Sequence, residues 1–179
     1  MRVSDKAKKG IAIGGGVLAV AGGAFFLLKD RAEDIPVLGK VITDDPATCP
    51  LTGLEPNREE LIDRPAVAVK IENAPIAYPL SGLEDAELVY EELVEGGSTR
   101  FLAIYHCTDS DKAGPVRSAR AVDPAIISPI THILAYSGQN DIVLAALEDA
   151  DIVRLDEDTA NGGLVRIPRE GLSLEHTLY

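Results

Sequence analysis

Cysteine, histidine and basic residues are all scarce in this sequence: two cysteines, three histidines, and 17 Lys and Arg against 29 Asp and Glu. Each scarcity excludes something. With acids dominating, the formal charge is −12, and a field of that sign repels nucleic acid and an anionic membrane face. The histidines, His106, His132 and His176, are scattered without a second ligand at helical spacing, so no zinc site is indicated. No nucleophile elbow surrounds Ser81, Ser98, Ser118 or Ser137, since none has glycine both two residues before and two residues after it. The glycine run Gly14-Gly15-Gly16 follows no strand and is no phosphate loop. Internal repeats and low-complexity tracts are also missing. No cofactor or metal is implied by any of these patterns.

What the sequence does have begins at its N-terminus. Residues 1–9 form a basic tail with Arg2, Lys6, Lys8 and Lys9, and Gly10 to Leu28 follows without a charged residue. At about 1.5 Å rise per residue such a helix spans about 28 Å, close to the hydrocarbon thickness of about 30 Å. The basic flank keeps the N-terminus inside and sends the rest of the chain out. The expectation is a single-pass signal anchor held in the bilayer by Gly10 to Leu28, in a bacterial cell membrane, with an extracytoplasmic domain. A cleaved signal peptide is the alternative, because Ala19-Val20-Ala21 fits a cleavage site, although Phe25 to Leu28 prolong the apolar run beyond it. Gly10, Gly14, Leu18 and Gly22 share one helix face, which suits a helix partner or simply lipid.

Residues 29–46 read as a tether, broken by Pro36, Gly39 and Pro46, and residues 47–179 as the globular domain. Beyond residue 29 the chain keeps 12 basic and 28 acidic residues, a charge of −16, which suits a soluble acidic surface and cationic partners. Cys49 and Cys107 form an even pair that reads as a disulfide outside the cytoplasm, or else as two separate buried thiols.

Within the domain, short strand-like runs are expected at 66–71, 87–94, 99–106 and 130–136. The second and third are joined as a hairpin by Glu95-Gly96-Gly97-Ser98. Helices are expected at 119–127 and 141–150, the latter capped by Asn140 or Asp141. The fold class that results is α/β, a mixed-sheet sandwich with one antiparallel hairpin.

Two clusters invite functional readings. In the first, Gly114-Pro115 makes a turn with a helix expected just after it, so Arg117 and Arg120 would share a face beside helix-start amides. With Arg100 and His176 they are candidate ligands for a carboxylate, a phosphate or an envelope partner protein; the alternative is internal pairing with acids such as Glu91 or Glu95. The second cluster is acidic. Glu91 and Glu95, with His176 assisting, would suit a hydrolase of envelope polymers, but on one strand they lie about 13 Å apart, against about 5–9.5 Å for catalytic carboxylate pairs. Asp156 to Gly162 resembles the start of a calcium loop but has Ala160 at a ligand position and no closing Glu.

An ordered set of segments resembles the YerB-like family of bacterial extracytoplasmic proteins. The set runs through Cys49-Pro50-Leu51-Thr52-Gly53, Arg64-Pro65 with Val67 to Asn73, Pro79-x-Ser81-Gly82-Leu83, Ala86 to Gly97, Thr99-Arg100-Phe101, Gly114 to Arg120 and His176 to Tyr179. The resemblance implies a mixed α/β fold, a membrane or lipoprotein anchor, no established enzyme activity, and a further domain beyond the His-x-Leu-Tyr segment.

Overall fold

A computed structural model describes residues 48–179. The expected basic tail, membrane span and tether lie outside these residues; among the described ones no helix is long and apolar enough to cross a membrane.

The framework is one five-stranded sheet of β1 (Val67–Glu72), β2 (Leu88–Leu93), β3 (Thr99–Tyr105), β4 (Ile133–Ala135) and β5 (Val153–Leu155), in the order β2-β3-β1-β4-β5. β1 is central and buried on both sides. It pairs antiparallel with β3 and parallel with β4, and β5 extends the parallel half. β2 and β3 form the expected hairpin. Its tip holds Gly96 at φ 72° and Gly97 at φ 74°, left-handed conformations that a Cβ disfavours, and the Val94 amide closes it on the Ser98 carbonyl.

Alternation along β1 divides the core in two. Ala68 faces the same side as Leu102 and Ile104 of β3 and Leu134 of β4, where α1 (Asp123–Ile127) and α2 (Asp141–Asp149) supply Ile127, Val143 and Leu147. α2 is capped as expected, the Asn140 side chain accepting from the Val143 amide at 2.9 Å. On the opposite side Val69, Ile71 and Ala103 pack beneath connecting segments that bring in Leu80, Leu83, Val116 and Leu178. Among the described residues the α-helices therefore cover one face only. β2 is an edge strand with Val89, Tyr90 and Leu93 exposed.

The structure corrects one helix. The segment after Gly114-Pro115 is extended, and α1 starts only at Asp123. Its amides are already committed: Arg117 donates to the Lys70 carbonyl, Ala119 to Gly138 and Val116 to Leu178. An amide bonded to another strand cannot bond four residues back, so tertiary pairing overrides local helical spacing. Gly114 is required there. A Cβ on it would fall 2.8 Å from the Leu178 carbonyl oxygen. β5 was not expected; three residues are too few to give a periodic signal.

The disulfide exists: Cys49 and Cys107 are bonded, their Cα atoms 5.9 Å apart, and both are buried. The Glu87 carboxylate accepts the Cys107 amide beside it.

The helix-side face of β1 also buries charge. Lys70 is wholly inaccessible; its ammonium touches Glu92 of β2 and lies 2.7 Å from Asp123 of α1. Burial lowers its pKa to about 8 against the opposing pull of Asp123. Lys70→Met would strand two buried carboxylates and should cost about 3–5 kcal/mol. Urea unfolding would show a lower midpoint, partly restored in Lys70→Met/Glu92→Leu, where an apolar pair replaces an ion pair.

Candidate functional site

The site arises where β1 and β4 part. They pair at Ala68↔Leu134 and Val69↔Ala135, and past those positions residues 115–119 lie between them. On one side Arg117 N–H donates to Lys70 and Glu72 N–H to Pro115; on the other, Ser137 N–H donates to Arg117 and Ala119 N–H to Gly138. From here the chain after β1 passes to the loop-covered face and the chain after β4 to the helical face. In open α/β sheets ligands sit outside the carboxyl ends of strands at such a divergence.

Arg100, Arg117, Arg120 and His176 all reach this end of the helical face. Arg100 and Arg120 converge on the Ser118 carbonyl, donating at 2.7 and 3.3 Å. Arg117 and His176 converge on Glu72, which is buried: Arg117 Nε lies 3.4 Å from one carboxylate oxygen and His176 Nδ1 2.6 Å from the other. Register joins the pairs, since Arg100 stands opposite Glu72 on one side and Glu92 on the other. Arg117 also donates to the Glu175 carbonyl at 2.9 Å.

Arg120 is held by Glu95, whose single oxygen Oε2 accepts from Nε at 2.9 Å and Nη2 at 2.5 Å. That hydrogen bond lowers the Glu95 pKa. The Arg120 amide donates to Asp123 Oδ2 at 2.7 Å, tying the loop to the buried Lys70 cluster.

Arg100 differs from its neighbours. Among the described residues no carboxylate oxygen lies within 4.0 Å of its guanidinium, whereas Arg117 has those of Glu72 and Glu175 and Arg120 that of Glu95. Burial, with Arg120 and Arg117 close by, lowers its pKa to about 10. The Arg100 charge is therefore partly desolvated beside two like charges.

Glu91 takes no part. It points to the other face of the sheet, where its carboxylate accepts from Thr99 at 2.7 Å and Asn73 at 3.1 Å. The cleft lined by Glu95 does not include it. Of the internal pairings considered from the sequence, Arg120 with Glu95 is present.

Sequence reasoning missed Lys70, Glu72, Glu92 and Asp123. A signal existed in Val67-Ala68-Val69-Lys70-Ile71-Glu72, where charges alternate within an apolar strand. On a central strand with both faces covered, such charges must be paired.

Residues 51–179 match a family model described as a protein of unknown function (DUF3048), N-terminal domain. YerB of Bacillus subtilis (strain 168), named as a candidate lipoprotein, is 42% identical over 116 residues, which cover 64% of this chain and 33% of that protein. The crystal structure of YerB from Bacillus subtilis aligns with a TM-score of 0.65 and 31% identity, covering 74% of this chain and 45% of the crystallised one. This chain thus spans about a third of its curated relative and under half of the solved structure. The match to the family model, the sequence identity and the shared fold agree: this chain belongs to the YerB-like DUF3048 family, in the region of its N-terminal domain.

Proposed function

We propose that this protein is a membrane-anchored extracytoplasmic module that binds the anionic group of a ligand or partner protein, without catalysis, through Arg100, Arg117, Arg120 and His176. One observation carries the reading. Arg100 is half-buried near two other guanidiniums and, among the described residues, has no carboxylate of its own within ion-pairing distance. A desolvated cation short of a partner is stabilised by an incoming anion, and three arginines supply the forked donors that hold one.

The compartment is supported by the apolar Gly10 to Leu28 run, by the Cys49–Cys107 disulfide, and by the naming of the Bacillus relative as a candidate lipoprotein. Disulfides persist in oxidising surroundings and are rare in the cytosol.

Calorimetry on the full-length chain in detergent, with phosphate, sulfate and acetate as probes, tests the binding. At least one anion should bind, and Arg100→Met should weaken it by about tenfold or more, the loss of one charged hydrogen-bond donor. Wild-type protein that takes none of the three would overturn the reading.

For the compartment, protease added outside intact cells should digest residues 47–179, while an N-terminal tag stays protected. Protection of the domain would remove the claim. Replacing both cysteines with serine should lower stability by about 4 kcal/mol, the entropy of freeing a 58-residue loop, read from urea midpoints without reductant.

A further inference from the structure

Beside Arg120 lies a cleft of about 340 Å³, walled by Glu95, Ser118, Arg120 and Gln139 and floored by Ala119 and Val143. That volume is at the small end of ligand pockets, which run about 300–1,000 Å³. Among the described residues, neither the Ser118 hydroxyl nor the Gln139 amide has a hydrogen-bond partner in the protein. The wall therefore offers one guanidinium edge and two uncommitted neutral polar groups over a small apolar floor.

Glu95 shows what the guanidinium edge accepts. It gives Arg120 one carboxylate oxygen for two donors, while its side chain is 74% exposed on the hairpin tip. A free carboxylate can offer both oxygens in the paired geometry, and an exposed ion pair contributes little to hold Glu95 in place.

Charge sets the valence of the replacement. Lys70, Arg100, Arg117 and Arg120 are matched by Glu72, Glu92, Asp123 and Glu95, with Glu175 on the exposed rim. Release of Glu95 to solvent takes one negative charge away from Arg120. A monocarboxylate replaces it; a phosphate dianion overshoots, and Asp123, which accepts the Arg120 amide, repels the excess.

We infer that this cleft takes the terminal carboxylate of a short peptide with small side chains, with Glu95 as a clasp that the ligand displaces from Arg120. The peptide amide would meet the Ser118 hydroxyl and the Gln139 amide, and the small side chain the exposed edge of Val143. This inference rests on the anion-binding reading and specifies its ligand.

The test is calorimetry on the full-length chain in detergent, with N-acetyl-Ala-Ala, its C-terminal amide and inorganic phosphate as probes. The acid should bind about tenfold or more tightly than the amide, which lacks the charge. Glu95→Gln, an exposed and nearly isosteric change, should tighten the acid by about fivefold, the worth of one exposed ion pair. Arg120→Met should abolish acid binding. Equal affinity for acid and amide, or a Glu95→Gln variant that binds the acid no better, would overturn the inference. If phosphate still binds in an Arg100-dependent way in that case, the broader anion-binding reading survives. If no probe binds, both fall.

Discussion

The structure turns on an ammonium with no access to water. Lys70 sits on the central strand, and a charge buried there survives only with partners arranged around it. Glu92 comes from the hairpin and Asp123 from the first helix. Meeting this need draws three elements that are far apart in sequence to one point. Asp123 then uses its second oxygen to hold the Arg120 amide, so the same constraint positions the loop that bears the arginines. Apolar burial supplies the bulk of the stabilisation on both faces of the sheet. The buried cation determines which end of the helical face is polar.

How much of this was legible in the sequence depended on how local each cause was. The hairpin was readable because Gly96 and Gly97 serve a turn two strands must share, and the second helix because Asn140 caps it across three residues. Residues 117–122 misled for the converse reason. A helix is expected there, yet the amides of Arg117 and Ala119 bond to the carbonyls of Lys70 and Gly138, partners that no short window along the chain contains. The candidate arginines and His176 were found from residue type and motif. Their acidic counterparts were not, since Glu72 meets His176 across 104 positions and Lys70 meets Asp123 across 53.

A second contrast lies between the molecule and its arginine-rich end. Beyond residue 29 the chain carries −16, while the residues around Arg100 are evenly matched in sign. On the proposed reading, an approaching anion would be opposed at long range and favoured only on contact. Salt screens the long-range part over about 8–10 Å at ordinary ionic strength and leaves the desolvated contact largely intact. Discrimination in such a setting comes from fit at short range, and association is slow compared with an electrostatically steered encounter.

The strand-like segment at residues 177–179 has a kinetic corollary. Leu178 accepts the Val116 amide, and Val165 and Tyr179 exchange hydrogen bonds, so this segment completes the wedge between β1 and β4. On a chain emerging N-terminus first, the hairpin and the central strand can pair long before residues 176–178 are available. Arg117 and Glu72 must then wait for His176, and the polar end of the sheet is assembled among the last contacts of folding, through some of the longest loops in the domain.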